Sequence, residues 1–390
     1  MSKEDVLSLF VYAGMLAIAF VVGFCVLYPS TGLSSVTVFN SNKGILVLFV
    51  IICLLVGVIL NGLLVELGHL VGLKLGGYSI VTFNVFGFCW YKKNIDGKMK
   101  WKFKFPKTPD GLTGETIGMP KKEKANPLFA VLIPFIIFAL EAVAMYMVMY
   151  FINTNKAAQA SLDGIRMVKF AVIIIATIGL MFALYNYFPA HIDSTTDGYR
   201  LVLLTKKINI KAYNEYLRIS GSEALGIDAG NYIVFDEITD YTAQLNLLSV
   251  YKAIDSKDYE LANKLLDHIL ENKSKISKLT AASITAQKFY LRFLLNSLGS
   301  EKEPLEPIIE DWKKVDDLTK TYVYKANTLE GLKTYYCCAL RIEKSTSEMK
   351  STIEKYRKVY KKSSSLNKDK ERALMNLIVG EEVIVQPTKK

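Results

Sequence analysis

Apolar residues are concentrated in the first half of the chain, in four stretches about as long as a membrane-spanning helix. Such a helix needs about 20 consecutive apolar residues. The four stretches cover about residues 7–28, 44–75, 127–152 and 168–188. The first is too long for a signal peptide and lacks a small-residue cleavage pattern, so we interpret it as an anchor. The pattern predicts a polytopic membrane domain over residues 1–204.

The loop between the second and third spans is strongly basic, whereas the other two loops carry one lysine each, Lys43 and Lys156. Basic loops are retained in the cytosol. Four crossings then place both termini in the cytosol and make the protein an integral membrane protein. Residues 66–69 and Asp197 both fall near cytosolic ends of spans, so we expect them to lie at one depth.

A β-hairpin is predicted inside the basic loop, over about residues 78–105. Asp96-Gly97 is a strong hairpin-turn signal, and the residues after it alternate between apolar and cationic with a period of two, which favours a strand. The alternating set is Lys98, Met99, Lys100, Trp101, Lys102, Phe103, Lys104 and Phe105. The apolar face would contact lipid or the helices and the cationic face solvent or lipid headgroups; alternatively, the hairpin is solvated and packs on its own neighbours.

The second half of the chain is polar, with apolar residues at helical spacing. We interpret residues 205–382 as a cytosolic α-helical domain, so the fold class is mainly α. The helical patterns cover residues 236–255, 257–272, 277–298, 321–342 and 346–361. Paired helices of this length suggest a tetratricopeptide-like stack, and an irregular bundle is the alternative. The domain either binds a protein partner, as helical stacks do, or only stabilises the membrane part. Residues 383–390 are expected to be disordered.

Charge and cysteine content narrow the classes of partner. Lys and Arg number 48 against 37 Asp and Glu, which gives a net charge of +11. Membrane topology and attraction to anionic lipid account for this excess, and without a nucleic-acid-reading motif we expect membrane lipid and no nucleic acid as partner. The five cysteines contain no C-x-x-C pair, which excludes a zinc ribbon and fits a reduced, cytosol-facing protein.

Glu66, His69 and Glu141 are ionisable residues inside the apolar stretches, away from the lysines Lys74 and Lys169 near the ends of those stretches. Such residues are costly in a bilayer and usually mark function or pairing. Glu66 and His69 match the last four positions of the zinc-protease motif H-E-x-x-H, but Val65 stands where the first histidine belongs. The alternative is a helix end at the polar interface. Glu141 faces a polar interior, pairs with His69, or is protonated; the sequence leaves these open.

A second motif follows the fourth span, where Asn186-x-x-Pro189 precedes Asp197-Gly198. Together with Glu-Leu-Gly-His in an earlier span, it resembles the site-2 protease family of intramembrane zinc metalloproteases. The resemblance covers roughly residues 44–204, and the hairpin and the loop at 111–120 are similar to a bacterial branch of that family. It implies a location in a bacterial cell membrane.

The resemblance implies roles for particular residues. Glu66 would be the general base, and His69 and Asp197 would be zinc ligands. Members of the family cleave membrane-embedded substrates with a zinc-bound water, but Val65 has no lone pair with which to replace the missing histidine. Our first hypothesis is therefore a non-catalytic relative that binds membrane segments or partner proteins and needs no cofactor.

The second hypothesis is an active zinc metalloprotease with an altered ligand set. His191 is the histidine available to complete it, because the third histidine, His268, lies far along the polar half. Alternatively, His191 only caps the fourth span, or Glu66 becomes a ligand and the site holds metal without hydrolysis. Zinc is a cofactor only if the protein is active. A transporter subunit or small-molecule membrane component is the remaining interpretation.

Overall fold

The computed structural model confirms a mainly helical chain, with 75% helix and 8% strand. It describes residues 3–22, 32–95, 98–105, 116–121, 124–154, 162–189, 191–192, 194–299, 303–325, 327–363 and 368–384. Two compact units divide the chain: one consists of Met1–Lys92, Met99–Lys107 and Glu115–Ile210, the other of Lys93–Lys98, Thr108–Gly114 and Lys211–Lys390. The predicted domain limits at 204/205 and 382/383 stay predictions.

Helices make up most of the first unit. They are α1 Lys3–Val21, α2 Thr37–Ser41, α3 Lys43–Leu75, α4 Leu128–Thr154, α5 Leu162–Tyr187, α6 Asp197–Leu203 and α7 Lys207–Leu225, with a 3-10 turn at Leu33–Ser35. Helix α7 continues into the second unit. Asn42 begins α3 by accepting hydrogen bonds from the backbone N–H groups of Gly44 and Ile45, which satisfies donors that a helix N-terminus otherwise leaves unpaired.

Three of these helices, α3, α4 and α5, are long and apolar enough to cross a membrane. They cover the predicted second, third and fourth spans, although α5 begins at Leu162 rather than residue 168. The first predicted span is different. Helix α1 ends at Val21, its apolar part Leu9–Val21 is shorter than a span, and residues 23–31 lie outside the described ones. The described chain thus provides three candidate spans instead of four, and the side on which each terminus lies stays a prediction.

Small residues allow α3 to pack closely against α4. A Cβ atom at Gly72 would overlap the carbonyl oxygen of Phe129, and one at Gly68 would lie 2.7 Å from Cα of Pro134. Glycine removes these clashes and lets the two helix backbones approach each other. This close approach sets the position of α4 relative to the last third of α3, where Glu66 and His69 are located.

A four-stranded sheet follows α3, in the order β3-β2-β1-β4. Its strands are β1 Tyr78–Val85, β2 Phe88–Ile95, β3 Lys98–Lys104 and β4 Ile117–Pro120. Strand β1 pairs antiparallel with both β2 and β4. The predicted hairpin is therefore part of a larger sheet, because β1 gains a second neighbour from the loop at 111–120. The predicted turn at Asp96-Gly97 lies outside the described residues.

The turn between β1 and β2 lies beside the middle of α3. Phe86 and Gly87 have positive φ angles of 49° and 82°, as a tight two-residue hairpin turn requires. A Cβ atom at Gly62 would overlap the Phe86 ring. The sheet therefore extends from the end of α3 back along the helix as far as Gly62.

The second unit is built from amphipathic helices around one apolar core. The helices after α7 are α8 Asp240–Asp255, α9 Tyr259–Glu271, α10 Lys278–Ser297, α11 Leu305–Lys314, α12 Asp317–Lys325, α13 Leu329–Cys338, α14 Thr346–Lys362 and α15 Lys368–Val379, with a 3-10 turn at Lys273–Lys275 and a π-helical turn at Ala339–Glu343. The helix predicted over 321–342 is wrong as one element, because Thr328 caps a new helix by accepting from the N–H of Gly331. The sequence patterns missed α7, α11 and α15. Whether this bundle is tetratricopeptide-like stays a prediction.

Buried charges lie inside this core. Lys333 Nζ is 2.7 Å from Glu371 Oε2, both side chains are fully buried, and the same ammonium is 4.2 Å from the centre of the Tyr290 ring. Burial, and secondarily the Glu371 carboxylate, raise the pKa of Glu330 to about 7. The second unit therefore contains ionisable groups that affect its stability.

Candidate functional site

The residues that the sequence singled out come from two separate helices. Glu66 and His69 lie in the last third of α3, and Asp197 is the first residue of α6. Thr196 caps α6 by accepting from the N–H of Tyr199 at 3.2 Å. A carboxylate in a first helical turn is favoured by the helix dipole, and Thr196 also donates a hydrogen bond of 2.8 Å to the carbonyl of Phe188, so both the cap and the end of α5 position Asp197.

The fold brings His69 and Asp197 together, although more than a hundred residues separate them in the sequence. His69 Nε2 is 3.3 Å from Asp197 Oδ2, and the two side chains are 17% and 5% exposed. The other ring nitrogen, Nδ1, is 2.9 Å from the carbonyl oxygen of Ala130. A carbonyl only accepts hydrogen bonds, so Nδ1 carries a proton and donates it. Nε2 is therefore the nitrogen presented to the carboxylate.

The separation of these two atoms is informative. Hydrogen bonds between a charged nitrogen donor and a carboxylate are usually about 2.7–2.9 Å, shorter than the 3.3 Å found here. Two ligands each about 2.0–2.1 Å from a tetrahedral zinc ion are about 3.3 Å apart. Histidine ligands also commonly donate their second N–H to a backbone carbonyl, as His69 does to Ala130. The 3.3 Å separation therefore fits both a long contact between imidazole and carboxylate and two ligands of one metal ion.

The rest of the donor set does not fit a catalytic zinc site, which usually has three protein ligands. Val65 lies one turn before His69 on the same helix face; it is only 8% exposed and offers hydrocarbon alone. Arg200 Nη1 lies 3.8 Å from Asp197 Oδ1, which adds a positive charge beside the carboxylate. In the part of the chain that the structure describes, no group of three His, Cys, Asp or Glu side chains is placed to hold one metal ion.

Glu66 has a partner that the sequence reasoning missed. The Thr116 hydroxyl donates a hydrogen bond of 2.6 Å to Glu66 Oε2. Thr116 directly precedes β4, and β4 is held beside β1 by pairs such as Tyr78 with Pro120. The sheet therefore brings Thr116, part of the loop at 111–120 that the sequence marked only for its resemblance, to the candidate general base.

His191 is placed only in part. Its backbone belongs to the two-residue strand β5 His191–Ile192, which pairs with β6 Ser194–Thr195. Its side chain lies outside the described part of the structure. The role of His191 as a replacement ligand therefore stays a prediction.

Glu141 lies toward Asn61 on α3 and Gly179 on α5. A Cβ atom at Gly179 would be 2.7 Å from Asn61 Oδ1 and 3.1 Å from Glu141 Oε2. Asn61 is fully buried, and its amide group donates to the carbonyls of Gly57 and Ile175. The Glu141 carboxyl therefore lies among the three helices, with Oε1 buried and without a hydrogen-bond partner among the described residues, and the alternatives left open by the sequence stay predictions.

Comparison with known protein families, with curated proteins and with solved structures found no match for the chain. Fold and site together define a class only coarsely: a mainly helical protein whose described residues include three candidate membrane spans and a largely buried histidine–aspartate pair.

Proposed function

We propose that this chain is a site-2 protease-like membrane protein that does not catalyse hydrolysis and instead binds membrane segments or partner proteins. The observation that carries the proposal is the donor set around His69. His69 and Asp197 provide two donors, and the position one turn before His69, where a third donor would stand, is the buried hydrocarbon of Val65. The positive charge of Arg200, 3.8 Å from Asp197 Oδ1, further disfavours a metal cation at this carboxylate.

Metal content tests the non-catalytic part. The wild-type protein, purified in detergent from zinc-supplemented cells, is analysed by mass spectrometry for metal per chain beside His69→Ala and His191→Ala. We expect the zinc content of all three proteins to be equal and well below one ion per chain. One zinc per wild-type chain that is lost in both variants would overturn the proposal.

Cross-linking tests the binding part. A photoreactive amino acid at Leu67, which is 37% exposed and lies between Glu66 and His69 on α3, is compared with the same group at the exposed Val47 near the other end of the helix. We expect Leu67 to give discrete adducts with uncleaved membrane proteins, identified by mass spectrometry. Identical adduct patterns at the two positions would contradict a binding site near His69.

The second candidate function is an active metalloprotease with an altered ligand set. One observation favours it: the 3.3 Å separation of His69 Nε2 and Asp197 Oδ2, which two ligands of one zinc ion would show. His69 and Asp197 would hold the ion, which would supply an activated water, and His191 would complete the set. Glu66, hydrogen-bonded by Thr116, would be the general base. The metal measurement above distinguishes the two functions.

A further inference from the structure

One face of the ribbon formed by β2 and β3 is an exposed cluster of aromatic side chains, which we call the aromatic face. Phe88 stacks on Phe105 with ring centres 4.3 Å apart, and Trp90 lies against Phe103 at 5.3 Å. The members of this face and their exposed fractions are Phe88 42%, Trp90 39%, Trp101 52%, Phe103 54% and Phe105 52%. Contiguous apolar surface of this kind marks a site of interaction.

The opposite face of β3 is cationic. Successive side chains of a strand point to opposite faces, so Lys100, Lys102 and Lys104 share the face that Trp101 and Phe103 do not occupy. All residues of β3 are exposed. Strand β3 is also at the edge of the sheet, so both of its faces are open along that edge.

The position of the ribbon along α3 agrees with a location at a membrane boundary. From Lys43, the first residue of α3, to Gly62 is 19 residues, or about 28 Å of helix. The hydrocarbon core of a bilayer is about 30 Å thick. If Lys43 marks one boundary of that core, Gly62 marks the other, and the Phe86 turn lies against Gly62. With that placement of Lys43, the ribbon begins where hydrocarbon meets headgroups.

We propose that the β2–β3 ribbon binds anionic phospholipid at the membrane surface. The aromatic face lies in the interfacial layer, where Trp and other aromatic rings are favoured. Lys100, Lys102 and Lys104 extend their flexible stems past the edge strand and pair with headgroup phosphates. Charge complementarity selects this occupant, because three exposed cations at the headgroup level match negative phosphates. The proposal does not depend on the proposed function of the His69 site.

Tryptophan fluorescence tests the proposal in the full-length protein. The chain has three tryptophans, and Trp90 and Trp101 lie on the aromatic face. A Trp312→Phe background leaves only these two emitters. The protein is placed in nanodiscs of one fixed mixture of phosphatidylcholine and phosphatidylglycerol, at equal mole fractions, with bromine, a quencher, on the acyl chains of either one lipid or the other.

We expect both brominated lipids to quench the tryptophan fluorescence, and brominated phosphatidylglycerol to quench it more strongly. The difference in quenching between the two lipids is called the excess. One lysine near an anionic surface favours contact by roughly fivefold, so an excess from three lysines is readily measured. The variant Lys100→Gln/Lys102→Gln/Lys104→Gln should lose the excess and retain quenching by brominated phosphatidylcholine. The matched control replaces three exposed lysines of the second unit by glutamine and should keep the excess: Lys264, Lys278 and Lys314.

Three results would overturn the proposal. Equal quenching by the two brominated lipids in the unsubstituted lysine background would show no preference for anionic headgroups. No quenching by either would show that a protein partner or solvent, and not lipid, covers the aromatic face. Loss of the excess in the control variant as well would show a general effect of net charge instead of a site on β3.

Discussion

Replacing Val65 by histidine tests whether the His69–Asp197 pair is the remnant of a metal site. Residues i and i+4 of a helix are neighbours on one face, so the new imidazole projects beside His69. Position 65 is 8% exposed, and a buried polar group without a partner costs about 1–3 kcal/mol. We therefore expect Val65→His to be less stable than the wild type by that amount when no metal is present.

Zinc should reverse the loss of stability in Val65→His if the side chains at positions 65, 69 and 197 converge on one point. Zinc at 100 times its dissociation constant stabilises the folded state by about 2.7 kcal/mol. For a unit of about 200 residues each kcal/mol raises Tm by about 2–4 °C, so zinc should raise Tm of Val65→His by about 5–11 °C. The wild type, which offers His69 and Asp197 but no histidine at position 65, should show a much smaller shift.

Thermal unfolding in detergent with a thiol-reactive dye measures these shifts. The dye suits this protein because the four described cysteines are buried: Cys53, Cys89, Cys337 and Cys338. Val65→His/His69→Ala is the matched control and should lose the zinc shift, and a chelator should reverse it in the single variant. The inferred arrangement of ligands would be refuted if zinc shifted the Tm of Val65→His no more than that of the wild type. It would also be refuted if the zinc shift persisted in the double-variant control.

The remaining predictions concern stability. Lys333→Ala leaves the Glu371 carboxylate buried without its countercharge and should lower the free energy of unfolding by about 3–5 kcal/mol, measured by amide hydrogen exchange in α13. The double variant Lys333→Met/Glu371→Leu should recover most of that stability. If the losses from the two single substitutions simply add in the double variant, the pairing is contradicted. The pKa of Glu330 is raised from 4.5 to about 7, so the folded state binds its proton more tightly than the unfolded state, and stability should fall between about pH 4.5 and pH 7. Glu330→Gln should flatten that slope in the same exchange measurement, and an unchanged slope would assign it to another group. Gly72→Ala, which overlaps the backbone of α4, should cost about 1–3 kcal/mol and lower Tm in detergent; an unchanged Tm would contradict the close packing.

The local pattern of apolar and polar residues was sufficient to predict the membrane-length helices and part of the candidate site. Long apolar runs predicted α3, α4 and α5 within a few residues, and the alternation of lysine with aromatic residues predicted β3. Short motifs within and just after these runs also indicated Glu66, His69 and Asp197 as candidate site residues. Such features depend on neighbours in sequence, because helices and strands repeat over a few residues.

The tertiary structure alone decided which groups contact one another. The 3.3 Å approach of His69 to Asp197 and the hydrogen bond from Thr116 to Glu66 join distant parts of the chain. So does the strand β4, which the sequence did not predict. These contacts arise when the glycines of α3 admit α4 and the sheet pairs along α3. Their partners leave no periodic trace in the sequence, because such contacts depend on packing between elements and not on spacing within one.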